Sequence, residues 1–214
     1  MEIPERIKTT DDFRFISEKD IKISKNFFAR GLNEVRLDAM DLIEDDVIIR
    51  GDLGKILIGP GTILDKGVVL HPCLNSSTPP FEYKNLSIGS NCYIGKQTIV
   101  ASRSIGNSVH IGNNCILSDR TEIGSNIKIL ENTYIPPDTR VPDNCVFGGK
   151  PGKYLGEIPD GFEKVQEEFC NQYFNSLIIK NKKKKKKNKI LFLLLFAIFK
   201  LKVKLIIIIK LLIL

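Results

Sequence analysis

The sequence predicts an all-β solenoid, a parallel β-helix of hexapeptide repeats, followed by one C-terminal α-helix. Three observations carry that prediction. An aliphatic residue, usually followed by Gly, recurs every six residues; a small or β-branched residue stands four positions after it; and near residue 156 the repeat gives way to helical spacing. Self-similarity at a fixed period marks stacked units, none of which buries its inner side alone.

The aliphatic slot holds Ile58, Ile88, Ile94, Ile111 and Ile123, each followed by Gly, and also Leu37, Ile43, Ile49, Leu64, Val100, Leu117, Ile129, Ile135, Val141 and Phe147. The small slot holds Val47, Thr62, Val68, Cys92, Thr98, Val109, Cys115, Thr121, Thr133, Thr139 and Cys145. Two inward positions per hexapeptide fit a short strand and a turn on each face of a triangular prism. Roughly sixteen hexapeptides then give about five coils over residues 31–155, after an N-terminal segment 1–30.

The register breaks where nine residues separate Ile49 from Ile58, eighteen separate Leu70 from Ile88, and five separate Val100 from Ile105. Each break predicts a loop. The longest, 72–86, contains Pro79-Pro80-Phe81-Glu82-Tyr83. Long loops in a compact domain are functional or disordered. Phe81 and Tyr83 are therefore candidate partner-binding residues, with a packed flap as the alternative.

Three of the five cysteines, Cys92, Cys115 and Cys145, occupy the small inward slot, where a free thiol acts as a small hydrophobe. Cys73 falls in the loop and Cys170 in the helical stretch, neither at metal-type spacing. No paired framework is present, which fits a reducing compartment. From Pro159-Asp160-Gly161 onward, Phe162, Val165, Phe169, Tyr173 and Phe174 line one side of a helix assigned to residues 156–177. That helix is expected to fold back along the prism.

The chain carries a net charge of +7, but twelve of its 32 basic residues lie at or after Lys180. Residues 1–179 carry 20 basic and 25 acidic side chains, a net of −5. Charge confined to a tail gives no basic face to track phosphates, so nucleic acid is not an expected partner. The start, with acids and no apolar run, does not read as a secretory signal.

The tail, 178–214, is a Lys-rich run followed by an apolar low-complexity stretch. It uses almost only Ile, Lys, Asn, Leu and Phe, all encodable by A/T-only codons. A genuine segment and translation past an exon boundary both stay open. Ile190–Leu214 holds 21 apolar residues and four lysines. On the insertion scale its aliphatic and aromatic side chains contribute about −6 to −12 kcal/mol, and Lys200, Lys202 and Lys204 cost roughly +8 to +10. Membrane contact through the tail is therefore unsettled.

The segments Arg50-Gly51-Asp52, Ile58-Gly59 and Val69-Leu70-His71 are similar to gamma-class carbonic anhydrases. That resemblance implies left-handed coiling, an exception to the right-handed crossover preference. It also makes His71 the first zinc ligand. The other two ligand positions, a histidine pair five apart in those enzymes, match Asn113 and Ser118. A catalytic zinc takes three protein ligands and an open fourth position, so this sequence predicts no metal, no cofactor and no catalytic residue. His110 falls three residues before Asn113 in an outward slot. Arg50 and Asp52 read as a structural ion pair.

More specific are Ile48-Ile49-Arg50-Gly51-Asp52-Leu53, Val109 to Ile116, Ile129-Leu130-Glu131-Asn132-Thr133 through Pro136-Pro137, and the exit Gly149-Lys150-Pro151-Gly152. Over roughly residues 20–178 the chain resembles the dynactin subunit 5 family. The resemblance implies a non-enzymatic scaffold of the cytoplasm and cytoskeleton, in the pointed-end complex that caps dynactin's actin-like filament. Its implied partners are dynactin subunit 6, dynactin subunit 4, the pointed-end actin-related protein and dynein cargo adaptors. The alternative is a hexapeptide-repeat enzyme, either a carbonic-anhydrase-like hydrase or an acyltransferase, the latter with His71 or His110 as general base.

Overall fold

The computed structural model describes residues 13–16, 19–75 and 79–176. It is a parallel β-solenoid of six coils, each contributing one short strand to each of three sheets, here called faces A, B and C. The first coil runs Ile21–Ser24, Phe28–Arg30 and Val35–Arg36; the sixth runs Ile127–Ile129, Tyr134–Ile135 and Arg140–Val141. Strands within each face pair in parallel, so the aliphatic slots stack in columns: Ile43 on Leu64, Ile94 on Ile111, Val100 on Leu117, Ile105 on Ile123. These columns form one buried core running the length of the prism. Cys92, Cys115 and Cys145 line it as small inward residues.

The corners explain the turn chemistry. Asn91, Asn114, Asn126, Asn132 and Asn144 all adopt φ near +55°, the left-handed region that Asn tolerates better than other side-chain-bearing residues. Neighbouring polar side chains pass hydrogen bonds from coil to coil. Ser90 N donates to Asn107 Oδ1 at 2.9 Å, Asn107 N to Ser125 Oγ at 3.0 Å, and Ser125 N to Asp143 Oδ1 at 2.7 Å. The glycine after the aliphatic slot is steric: a Cβ on Gly95 would lie 2.6 Å from the backbone of Gly112 in the next coil.

Three sequence expectations are revised. The solenoid begins at Ile21, inside the segment 1–30 that the repeat left out, giving six coils instead of about five. The first coil escapes the pattern because its face B slot is filled by Ala29, and a 3-10 turn at Leu32–Glu34 stretches the spacing from Ala29 to Leu37 to eight residues. The helix, α1, starts later than residue 156: Gly152–Glu157 is a strand antiparallel to Cys145–Gly149, and α1 occupies 162–176. Within α1, Val165 is exposed and Gln166 is buried in its place.

Face A is closed at both ends by antiparallel strands, Phe13–Ile16 on Ile21–Ser24 and Gly152–Glu157 on Cys145–Gly149. Faces B and C begin and end, among the described residues, on unpaired edges. The loop 72–86 folds into a small hairpin, Cys73–Leu74 against Tyr83–Lys84, with Cys73 buried beneath it. Residues 76–78 of that loop and the whole tail 178–214 lie outside the described residues.

Candidate functional site

The outward residue before each aliphatic slot forms a ladder up each face, and the three ladders differ in chemistry. On face A it runs Lys22, Leu42, Ile63, Tyr93, His110 and Lys128, each opposite the next. Helix α1 lies across it. Phe169, Cys170, Tyr173 and Phe174 pack on Leu42, Ile63 and Tyr93 as a second buried cluster. The Tyr93 and His110 rings stack 4.8 Å apart, and Phe169 meets Tyr93 edge-on at 5.2 Å.

Several polar groups in and around this contact have specific partners, as buried polar atoms favour. Tyr93 Oη donates to Asp65 Oδ2 at 2.7 Å. His110 Nδ1 lies 3.2 Å from Gln166 Oε1, within hydrogen-bonding distance. Burial lowers the His110 pKa to about 4, against the opposing help of Gln166. Lys22 Nζ donates to the Phe174 carbonyl at 2.7 Å and sits 3.3 Å over the Phe174 ring, capping the last turns of α1 from the first coil. Burial lowers its pKa to about 8. Asp41 accepts from Asp38 N at 2.7 Å and Thr62 N at 3.0 Å, yet burial outweighs both bonds and raises its pKa to about 8.

On face C the outward ladder is mostly polar: Arg36, Leu57, Ser87, Ser104, Glu122 and Arg140. On face B it is Phe28, Ile48, Val69, Ile99, Ile116 and Tyr134, apolar in every coil and in register throughout. Phe28, Ile48, Ile99 and Ile116 are exposed. The sequence reading followed the six-residue period and missed this ladder. Its signal is the apolar doublet Ile48-Ile49, Val69-Leu70, Ile99-Val100, Ile116-Leu117 and Tyr134-Ile135, which recurs once per coil.

The residues singled out in the sequence fall around face B. Arg50 and Asp52 form a two-pronged pair, Nε to Oδ1 at 2.8 Å and Nη2 to Oδ2 at 3.0 Å, at the edge between faces B and C. That pair holds the Asp52 carboxyl below the usual carboxylate range. His71 follows the face B strand of the third coil, and its Nδ1 lies 3.2 Å from the Pro72 carbonyl. Ser118 stands on the same edge two coils on, about 10 Å away at the usual strand spacing. Asn113 lies on the opposite edge of face B, accepting from Lys96 N at 2.8 Å and donating to Glu131 Oε1 at 2.9 Å. One imidazole, one amide and one hydroxyl, so spread, do not fit a zinc centre, which needs three donors about 2 Å from one ion. Among the described residues no group of three His, Cys, Asp or Glu is placed to hold a metal. His110 is half-buried, its ring stacked on Tyr93, met edge-on by Phe169 and bonded to Gln166.

Phe81 and Tyr83 are both exposed at the hairpin. The hairpin is fastened along the edge between faces B and C. Leu74 N donates to Asp119 Oδ1 at 2.9 Å, Arg120 Nη1 to the Leu74 carbonyl at 3.1 Å, and Lys55 N to Asn85 Oδ1 at 3.0 Å. Arg120 is itself held by Asp138 in the sixth coil, Nη2 to Oδ2 at 2.8 Å.

Comparison with known proteins gives this arrangement a context. The chain is similar to a hexapeptide transferase family protein from Anaplasma phagocytophilum, with a TM-score of 0.58 and 21% identity over 72% of this chain and 89% of that one. It is 20% identical over 158 residues to gamma carbonic anhydrase 2, mitochondrial, from Arabidopsis thaliana, covering 74% of this chain and 55% of the relative. These likenesses show the fold. It is 34% identical over 157 residues to dynactin subunit 5 from Dictyostelium discoideum, covering 73% of this chain and 79% of the relative. The family model for dynactin subunit 5 matches residues 1–182, solenoid and helix together, and the chain belongs to the dynactin subunit 5 family.

Proposed function

We propose that this chain is a non-catalytic scaffold of the dynactin pointed-end complex, acting in the cytoplasm on the cytoskeleton. In this reading it pairs with dynactin subunit 6, sits beside dynactin subunit 4 and the pointed-end actin-related protein, and supports dynein-driven transport by helping engage cargo adaptors. The observation that carries it is the family match running unbroken through solenoid and helix. Two features support it. The positions corresponding to zinc ligands hold His71, Asn113 and Ser118, which do not make a metal centre. Among the described residues there are instead a long apolar face and open strand edges on faces B and C, the raw material of contacts between chains.

The test is affinity purification of the tagged full-length chain, and of a form ending at Asn175, with mass spectrometry and zinc analysis of each eluate. Other dynactin subunits are expected with both forms, without stoichiometric zinc. A zinc-bearing homo-oligomer free of dynactin subunits would overturn the reading and restore the hydrase.

A further inference from the structure

The two ends of the prism are finished differently. At the C-terminal end the aliphatic slots of faces B and C, Ile135 and Val141, are 0% and 1% exposed. At the N-terminal end those slots hold Ala29 and Leu37, which are only half-buried, as are Phe27 and Val35 beside them. No described strand pairs with the outer edge of Phe28–Arg30 or of Val35–Arg36, the first strands of the two faces. Phe28 N donates to the Val47 carbonyl of the second coil at 2.8 Å, so the alternation along a strand turns the Ala29 N–H toward the open end. Half-buried apolar slots beside a free strand edge are what one more strand would cover.

The chain itself arrives at this end. Phe13–Ile16 pairs antiparallel to Ile21–Ser24 with Phe13 opposite Ser24, so the chain enters Phe13 from the corner where the first coil turns from face A to face B. Twelve residues precede Phe13 and lie outside the described residues; twelve residues, 25–36, carry the first coil from that corner through faces B and C. The length of the one stretch matches the other. Its composition suits an outermost strand. Pro4, Glu5, Arg6 and Lys8 are residues that edge strands use to stop further pairing, and Ile3 and Ile7, four apart, share one side of an extended chain.

We propose that residues 1–12 close the N-terminal end of the prism: running back from Phe13 they wrap the first coil, antiparallel to it, along face B and then face C, and lay Ile3 and Ile7 over Phe27, Ala29, Val35 and Leu37. Asp12 then falls opposite the exposed Lys25, and the Ala29 N–H gains a carbonyl acceptor. The end so covered is closed to other chains, which leaves the edges of Tyr134–Ile135 and Arg140–Val141 for end-on contacts. This concerns the chain alone and does not rest on the scaffold reading.

The test is amide exchange resolved to single residues, on the purified full-length chain and on the double variant Ile3→Asp, Ile7→Asp. In the native protein the Ala29 amide is expected to exchange at least about a hundredfold more slowly than an unstructured amide, whatever the protein concentration. The variant should lose at least about tenfold of that protection at Ala29, while Phe28, bonded to the second coil, keeps its own. A second readout stands whether or not that variant folds: p-benzoylphenylalanine placed at Ile7 of the full-length chain should crosslink within the same polypeptide to residues 26–37. An unprotected Ala29 amide in the native chain, or protection that appears only when the chain is concentrated or other dynactin subunits are added, would overturn the proposal. So would equal protection in native protein and variant, or crosslinks from Ile7 to a second copy or to another part of the chain.

Discussion

Faces A and B present the same architecture to opposite fates. Both carry a large side chain in the outward position of successive coils, and both ladders run in register along the prism. On face A the chain supplies its own cover, and the ladder holds polar and titratable groups whose partners are fixed: α1 brings the Phe174 carbonyl to Lys22 and Gln166 to His110, and Asp65 of the third coil takes the Tyr93 hydroxyl. On face B no such cover is present among the described residues, and the ladder is aliphatic or aromatic throughout, with the Tyr134 hydroxyl its one polar group. A polar group is affordable in a contact only when its partner is fixed in place. The contrast shows how a repeat with one inner pattern makes faces with different uses by varying a single outward slot.

The largest expected effect comes from breaking the cover on face A. Tyr173 is fully buried against that face, and Tyr173→Ala should cost about 3–5 kcal/mol, the range for truncating a large buried aromatic side chain, as read by urea denaturation. A loss under 1 kcal/mol would mean that α1 does not hold the solenoid together.

His110 offers a sharper probe of the same contact. Its ordinary pKa of 6.5 falls to about 4 in the folded state. Above pH 6.5 both folded and unfolded chains are neutral there. Between pH 6.5 and 4 only the unfolded chain takes up the proton, so stability falls with pH by up to about 3 kcal/mol. His110→Phe should remove that dependence. The difference between the two proteins isolates His110, because Asp41, raised to about 8, contributes equally to both; it adds stability as pH falls through its folded pKa. Parallel stability profiles for wild type and variant from pH 7 to 4 would show that His110 is solvated and α1 undocked.

Much of this was legible beforehand, and the gaps have physical causes. The inward slots are dictated by packing inside a prism, and the six-residue period reports them directly, down to the buried Cys92, Cys115 and Cys145. The first coil was hidden because Ala29 fills its slot too weakly to register as a repeat. The side of α1 that packs was misread by one residue. Val165 fits an apolar stripe, but the surface beneath presents His110, and Gln166 answers it. An amphipathic pattern cannot show that a polar residue belongs on the buried side when the demand for it comes from a strand 56 residues away. The outward ladders recur once per coil, at spacings from 17 to 30 residues that the corner insertions make irregular. A search at period six passes over them.

The most direct measurement uses one substitution in the same slot on the two faces. Ile63 on face A is 0% exposed and Ile116 on face B is 44% exposed, and both occupy the outward position of their coils. Denaturation of the purified full-length chain at low concentration should give a loss of about 2–5 kcal/mol for Ile63→Ala and less than about 1 kcal/mol for Ile116→Ala. Equal losses would contradict the account, because they would mean that face B is already covered in the isolated protein.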